Sequence, residues 1–222
     1  MVEAVSRRQP APRTQVRRLP EKQSHDRAAL DALLEAALVA HAAVVDDGQP
    51  YVVPVAFAPD GDRLIIHGSN ASRLFRRLSA GAPTCLTVTV VDGLVVARSQ
   101  FESSMRYRSA MVLGRCTVLD DEAKSAALAR LTEHLMPGRT QDARSPSERE
   151  LAQTTVLAMP LQEWSLKVAD GHPDDDPADL DRPVWAGVVP LRHAFGEPVP
   201  APDLRGAHEV PAYVSAWPRG RA

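Results

Sequence analysis

The sequence predicts a mainly β protein, a small antiparallel barrel with helices at its periphery. Short apolar runs follow one another along residues 38–118 and are separated by turn residues, including the Asp-Gly pairs at 47–48, 60–61 and 92–93. Their connections are hairpins and one short helical excursion, which favours an antiparallel sheet. Several runs are apolar on both faces, as expected where a sheet closes on itself and is covered by helices.

Helix and strand patterns alternate along the chain. Residues 24–38 carry apolar residues at helical spacing, which predicts an amphipathic helix. Strands are predicted at "LVAHAAVV", "YVVPVAF", "RLIIH", "TCLTVTVV", "LVVARS" and "YRSAMVLGRCTVL", the last long enough to bend. Further helices are predicted over 120–135 and at "SPSERELAQ", followed by strands at "TTVLAMP" and "EWSLKVAD".

The composition indicates one domain with two tails. A chain of 222 residues that is 44% hydrophobic and 24% charged can bury one core, which we place at 24–191. Residues 1–23 are rich in arginine and proline and are expected to be disordered or loosely docked, and 192–222 form a proline-rich tail. The net charge of -2 predicts no general attraction to nucleic acid or to an acidic membrane. The first residues lack the apolar core of a secretory signal, so the cytoplasm is expected.

Metal and disulfide chemistry is not predicted. Cys85 and Cys116 each lie in a predicted strand without a partner at metal-ligand spacing, so both are expected to be small core residues in a reducing compartment. The seven histidines show no HExxH pattern. Five aspartates between 174 and 181 lack the glycine and the terminal glutamate of an EF-hand loop, which favours a solvated loop with Asp caps.

A first polar cluster lies in "HGSNASRLFRRL", residues 67–78. A strand arrives at His67, the chain turns, and Ser72 is a candidate N-cap for a helix over 73–80. Free backbone N–H groups gather at such a helix start and favour an anion. Arg73 and Arg77 share one helical face and repel each other unless a negative group or solvent intervenes. A bound phosphate and a solvated basic helix face are both open interpretations.

A second polar cluster lies in "ARSQFESSMRYRSAMVLG". The strand pattern places Ser104, Arg106 and Arg108 on one face, and charged residues there are either exposed at the rim or paired with a ligand. Met105 and Tyr107 lie on the other face. Together with the first cluster, these residues are expected to form opposite walls of one site for an anionic ligand.

The order of several segments resembles a known family. It is carried by "QPYVVPVAF", "IIHGSNASR", "CLTVTVVDGLVVARSQF", "SMRYRSAMVLG", "PSERELAQTTVLAMPLQEWSLKV" and "DDPADLDRPVWAGVVPL". This order is similar to that of the pyridoxamine-5′-phosphate-oxidase-related flavoproteins of the split-barrel type, and within them to the branch of the nitroimidazole-resistance proteins. The resemblance covers residues 25–191.

The resemblance implies a six-stranded antiparallel split barrel that forms a homodimer and binds flavin mononucleotide (FMN) near the subunit interface. By this resemblance, the isoalloxazine ring contacts Val53, Pro54 and Val55. The phosphate and ribityl contacts fall on His67, Ser69, Ser72 and Arg73. Ser104, Met105, Tyr107 and Arg108 approach from the other side.

The resemblance leaves the reaction open. Glu102, Ser103 and Arg106 stand where members of this branch often carry histidines and an asparagine, and the C-terminal ending of the true pyridoxamine-phosphate oxidases is missing. No catalytic residue is assigned: His67 is either an acid near the flavin or a strand-end histidine that only binds the turn.

Three functions are therefore compatible with the sequence. The first is an oxidoreductase that passes electrons from a reduced nicotinamide to a small electron-poor acceptor, such as a nitro-aromatic or a quinone. The second is a flavin-binding carrier or sensor without turnover, and the third is a haem-binding split-barrel protein. A deazaflavin coenzyme is the alternative to FMN.

Overall fold

One antiparallel sheet forms the body of the molecule, seen in a computed structural model that describes residues 13–217. The described strands are β1 (Gln23–Ser24), β2 (Val39–Asp46), β3 (Gln49–Asp60), β4 (Arg63–Ser69), β5 (Pro83–Val96), β6 (Ser104–Arg115), β7 (Thr117–Val118), β8 (Thr154–Pro160), β9 (Trp164–Ala169) and β10 (Gly187–Pro190). The predicted mainly β, antiparallel class is confirmed, although ten strand segments do not by themselves give the predicted count of six.

The sheet closes through a bend in one long strand. Its order is β1-β9-β6-β5-β2-β3-β4-β8-β7, and β10 adds to β5. Because only Cys116 separates β6 from β7, one run of chain borders β5 and β9 at one end and β8 at the other. This run is the long bent strand that the sequence predicted, and it gives the sheet the closure expected of a split barrel.

Helices cover the barrel on two sides. They are α1 (Arg27–Ala36), α2 (Arg73–Ser79), α3 (Asp121–Leu135), α4 (Glu148–Gln153) and α5 (Ala212–Ser215). Leu64 and Ile66 of β4 belong to the main core with α1 and α2, whereas Ile65 packs with Leu131 of α3 in a second cluster. Because side chains alternate along a strand, His67 lies on the same side of β4 as Ile65. His67 therefore lies on the side of the sheet that α3 covers.

Local sequence explains where the helices begin. The carboxylates of Asp26 and Asp120 accept hydrogen bonds from backbone N–H groups in the first turns of α1 and α3. Ser147 and Glu150 form a capping box at α4, which confirms the predicted capped helix. Ser72 is the N-cap residue of α2 by position, but its side chain makes no capping hydrogen bond.

The predicted hairpin at Asp92-Gly93 is wrong. β5 continues from Pro83 to Val96, and the ladder with β6 shifts register between Val91 and Gly93. Asp92 is thus the extra residue of a β-bulge, and its carboxylate accepts hydrogen bonds from Arg108. A Cβ atom on Gly93 would lie 2.8 Å from the backbone oxygen of Val189, so glycine here permits the close approach of β10.

Both tails have parts that dock on the barrel. Residues 1–12 and 218–222, which fall within the tails predicted from sequence, lie outside the described residues. Arg13 pairs with Glu163, and Lys167 of β9 donates to the backbone oxygen of Arg18 at 3.3 Å. Residues 191–217 run back across the barrel to the connection between α3 and α4. Within residues 13–217, no helix has the length and apolar character needed to cross a membrane.

Candidate functional site

An apolar cavity of about 400 Å³ lies beside β5. β2 pairs with residues 85–87 of β5 and β10 pairs with residues 93–96, so the two ladders leave residues 88–92 between them. The cavity lies at this gap and is lined by Ala36, Ala37, Leu38, Val39, His41, Thr89, Val90, His193, Ala194 and Phe195. Most of these side chains are apolar, and the Thr89 hydroxyl is already within hydrogen-bond distance of Ser109 at 2.9 Å. A largely apolar ligand suits such a lining.

Two imidazoles reach this cavity from distant parts of the chain. His41 lies on β2, opposite Pro54 of β3. His193 follows β10, where the Leu191 N–H donates to the Asp92 backbone oxygen at 3.0 Å and holds the chain against β5. Imidazole nitrogen is a common ligand of haem iron. The donor set and the apolar walls therefore fit a haem group.

A second, polar cavity of about 590 Å³ lies between β4, α3 and α4. It is lined by His67, Leu128, Leu131, Thr132, Arg139, Asp142, Ala143, Arg144, Pro146, Glu150 and Thr154. The Nδ1 atom of His67 is buried and has no hydrogen-bond partner among the described residues. Burial also lowers the pKa of His67, because the charged imidazolium loses solvation. A neutral imidazole with a free nitrogen is suited to hydrogen-bond a polar ligand.

The turn after β4 borders the polar cavity. Ser69 pairs with Thr154, a residue of the cavity wall, and lies on the same side of β4 as His67. Asn70 fastens the turn to the end of α4, since its N–H donates to the Gln153 oxygen at 3.2 Å and its side-chain amide donates to the Ala152 oxygen at 3.0 Å. The structure thus brings His67 and Ser69 of the predicted phosphate site together.

Arg73 points elsewhere. Its guanidinium lies 4.4 Å from the centroid of the Tyr51 ring and 3.9 Å from the Asp46 carboxylate. Arg77 reaches the same carboxylate at 2.5 Å. Asp46 is therefore a negative group between the two arginines. The sequence had left two explanations for their proximity, a bound phosphate or a solvated helix face. Neither cavity described above includes Arg73 or Ser72 in its lining.

The arginines of the second polar cluster bind groups of the protein. Arg108 donates to both carboxylate oxygens of Asp92, at 2.9 and 2.7 Å, and these hydrogen bonds raise its pKa. Arg106 donates to the backbone oxygen of Gly171 at 3.0 Å. An anionic ligand is consequently not required to explain either charge.

The other predicted flavin contacts lie in strands on the same sheet. Ser104 and Met105 are exposed at the start of β6, Tyr107 is half-buried, Val53 and Pro54 of β3 are exposed, and Val55 is buried. Glu102 and Ser103 belong to the β5–β6 loop and bind Ser99 through the Glu102 N–H and the Ser103 hydroxyl. The flavin contacts of the predicted residues in β3 and β6 stay a prediction.

Two smaller predictions can be compared with the structure. Cys116 is buried as expected, and burial raises its pKa to about 11, whereas Cys85 is only half-buried and is not the core residue predicted. In the aspartate-rich segment, Asp175 forms a partly buried ion pair with Arg98, and Asp176 caps a short turn through the Ala178 N–H. These two aspartates thus fasten and cap the segment.

Comparison with known proteins decides the family. Residues 26–168 match the family model described as pyridoxamine 5′-phosphate oxidase. The chain belongs to this family. The resemblance predicted from sequence is confirmed, and no match to a curated protein sequence was found.

Two similar solved structures are those of an FAD and haem binding protein and of a flavocytochrome. The FAD and haem binding protein from Mycobacterium smegmatis is 44% identical, covers 90% of this chain and 98% of its own, and has a TM-score of 0.87. The flavocytochrome Anf3 from Azotobacter vinelandii is 37% identical over 93% of this chain and 96% of its own, with a TM-score of 0.86. Because these matches cover 90% and 93% of the present chain, the similarity extends well past residue 168.

A third structure matches the branch that the sequence suggested. It is a putative 5-nitroimidazole antibiotic resistance protein from Bacteroides thetaiotaomicron, 26% identical over 66% of this chain and 86% of its own, with a TM-score of 0.56. By sequence identity and TM-score, the present chain is thus more similar to the FAD and haem binding protein and to the flavocytochrome than to that resistance protein.

Sequence reasoning did not single out the two histidines of the apolar cavity. His41 is the one polar residue in "LVAHAAVV", and this interruption was the available signal for a side chain that leaves the core. His193 lies in a proline-rich tail with no periodic pattern. Its position could only be known once β10 was seen to bring the tail back against β5.

Proposed function

We propose that this chain is a redox protein that binds both a flavin and a haem. The observation that carries the proposal is the apolar cavity at β5, lined by His41 and His193. Haem offers a flat apolar surface and an iron that binds imidazole, which matches this lining. The similarity to an FAD and haem binding protein and to a flavocytochrome supports the same assignment.

The flavin half of the proposal rests on the family and on the polar cavity. His67 presents an unpaired buried nitrogen there, and Ser69 lies on the same side of β4. Arg139 and Arg144 also line the cavity, each paired with a carboxylate of the same lining, Asp142 and Glu150 respectively. Hydroxyl and imidazole groups suit the hydroxyl groups of a flavin's ribityl chain. The resemblance predicts FMN, whereas the FAD bound by the mycobacterial relative favours the dinucleotide; a deazaflavin is the third form to test.

We propose an oxidoreductase rather than a carrier because the two cofactors have complementary chemistry. Bound flavin supplies one- and two-electron transfer, and bound haem supplies one-electron transfer. The protein would position both groups, exclude water from the apolar cavity and present a neutral imidazole at His67. The donor is proposed to be a reduced nicotinamide, and the acceptor a small electron-poor compound.

The outer face of β2 and β3 supports a homodimer as part of this proposal. We define this outer face as Val39, His41, Ala43, Val45, Pro50, Val52, Pro54 and Ala56, which are cross-strand partners. Within these two fully described strands the face contains no aspartate, glutamate, lysine or arginine, and Val52 is 63% exposed. An uncharged, exposed sheet face of this kind is typical of an interface, and a second copy of the chain is the partner we propose.

The first experiment is a visible spectrum of the purified protein, with the released pigments identified by mass. We expect flavin bands, and a Soret band that appears on titration with haemin. If His41 or His193 binds the haem iron, its loss should weaken haemin binding by more than about tenfold, because even indirect changes at metal sites cost that much. His41→Ala and His193→Ala are therefore the test variants, and His208→Ala, an exposed histidine of the same C-terminal segment, is the control.

The outcomes separate the candidate functions. If both test variants bind haemin as the control does, the cavity assignment is wrong. Bleaching of the flavin by a reduced nicotinamide supports the oxidoreductase, whereas a stable bound flavin that no nicotinamide reduces would favour a carrier or sensor.

A further inference from the structure

The C-terminal segment crosses the molecule after β10. We call residues 191–217 the strap. It leaves β10 at Leu191, passes His193, Ala194 and Phe195 along the apolar cavity, and ends beyond α5 on the connection between α3 and α4. The strap thus supplies three of the residues that line the cavity.

The far end of the strap is fastened by two aromatic residues. The Tyr213 hydroxyl donates to the Asp142 carboxylate, whose oxygens lie at 2.9 and 2.8 Å, and accepts from Arg139 at 3.1 Å. The Trp217 indole donates to the Pro137 backbone oxygen at 2.9 Å. We call these contacts of Tyr213 and Trp217 the latch.

The latch packs closely against the connection between α3 and α4. Gly138 has a φ of +88°, and a Cβ atom there would lie 2.8 Å from Cγ of Tyr213. The glycine is therefore required both for its backbone conformation and for the space that the tyrosine ring occupies. Such a fit indicates a specific docking position for the end of the strap.

The latch is in contact with the cavity wall. The rings of Phe195 and Trp217 have centroids 5.6 Å apart, and those of Tyr213 and Trp217 are 6.3 Å apart. Phe195 is also a lining residue of the apolar cavity. Displacement of the latch would consequently remove the support of one wall of the cavity.

We infer that the strap is a lid over the apolar cavity and that Tyr213 and Trp217 hold it closed. Asp142 and Arg139 have side chains that are 42% and 44% exposed, and hydrogen bonds at such positions contribute only modestly to stability. No apolar side chain of residues 170–217 belongs to the described buried core, so the lid can open while the barrel stays folded. Opening would admit and release the ligand of the apolar cavity; that this ligand is haem rests on the proposed function.

Tyr213→Phe is the sharpest test because it removes the hydroxyl and keeps the ring against Gly138. We expect hydrogen exchange of residues 191–217 in the cofactor-free protein to accelerate by about tenfold, the effect of losing one or two hydrogen bonds, while exchange in β2–β6 is unchanged. Val199→Ala is the matched control, since Val199 lies in the strap and is 88% exposed. Unchanged exchange in the strap would overturn the inference, as would equal acceleration throughout the barrel.

A second readout tests the lid as a lid. The Tyr213→Phe variant should release haemin to apomyoglobin faster than the unmodified protein, by about the same factor as its hydrogen exchange in the strap accelerates. The Val199→Ala control should release haemin at the rate of the unmodified protein. If haemin does not bind at all, the proposed function fails and the lid is tested with 8-anilinonaphthalene-1-sulfonate, whose dissociation should accelerate in the variant. Faster exchange without faster release of either compound would show that the strap docks on the surface without closing the cavity.

Discussion

Arg73 and Arg77 lie one turn apart on α2, and both approach the carboxylate of Asp46. The two contacts differ. Arg77 is 2.5 Å from the carboxylate, whereas Arg73 is 3.9 Å away and rests over the Tyr51 ring. Arg77 is therefore the main ion-pair partner, and Arg73 is the more available of the two for a ligand.

This difference gives a matched pair of substitutions. If Arg73 holds the phosphate, as the resemblance implies, Arg73→Ala should weaken flavin binding by about tenfold to a hundredfold, the effect of losing a charge-assisted hydrogen bond. Binding in the polar cavity, whose lining does not include Arg73, predicts an unchanged flavin affinity. Arg77→Ala should leave flavin binding unchanged and lower the free energy of unfolding by less than about 1 kcal/mol, because the pair is partly exposed. Quenching of flavin fluorescence measures the first effect and urea unfolding the second. Equal flavin affinities of the two variants would remove Arg73 from the site.

The two thiols should differ in reactivity. At pH 7 roughly one Cys116 in ten thousand is a thiolate, given its raised pKa of about 11, and the residue is buried. Cys85 is half-buried on the sheet surface. We expect a disulfide reagent to modify one thiol per chain in the native protein and two in denaturant, with mass spectrometry placing the native label on Cys85. A native label on Cys116 would contradict the packing described for β6 and β7.

At the scale of elements, the gap in the pairing of β5 creates the apolar cavity. β2 covers one end of this strand edge and β10 the other. β10 is held in place by the bulge at Asp92 and by Gly93. Because Gly93 has no side chain, the backbone of Val189 can pass close to it. Cavity position is thus set by one bulge and one glycine.

Gly93→Ala should displace β10. The added methyl would meet the Val189 backbone oxygen, which cannot rotate away, so we expect a loss of about 1–3 kcal/mol in the free energy of unfolding. Hydrogen exchange should accelerate in residues 187–195, and haemin binding should weaken. Gly171→Ala is the control because a Cβ atom there meets nothing within 4 Å. Identical behaviour of the two variants would mean that β10 is not fixed by this contact.

Local patterns were sufficient for most elements and insufficient for the cavity. The helices at α1, α3 and α4 and the turn at Asp47-Gly48 follow from periodicity, caps and glycine conformations that residues close in sequence determine. The Asp92-Gly93 pair has the same composition as a turn but serves as a bulge, because Arg108 and β10 bind there. His193 could not be placed for the same reason: its position depends on a contact between distant segments.

At the scale of the whole molecule, the outer face of β2 and β3 and the apolar cavity are neighbours. His41 belongs to both, since it lies on the outer face and lines the cavity. A second copy of the chain bound to this face would lie next to the cavity. Dimer formation and cofactor binding are therefore expected to influence each other.

Val52→Lys tests the homodimer. Placing a charge at the centre of the outer face should convert a dimer to a monomer, because an unpaired charge is costly to bury. Light scattering after size-exclusion chromatography measures the mass, and Val199→Lys on the exposed strap is the control. A monomeric unmodified protein, or a dimeric Val52→Lys variant, would show that this face is not the interface.

The position of the strap along the chain has a consequence for biosynthesis. Among the described residues, the last buried apolar side chain is Ala169, so the barrel has its whole core before β10 and the strap are made. Domains generally fold as units, and the N-terminal parts of a chain are synthesised first. A nascent chain can therefore form the barrel with the apolar cavity still uncovered on one side. In this order of events, the proposed cofactor would enter a folded barrel from the open side, and the last segment to be synthesised would close over it.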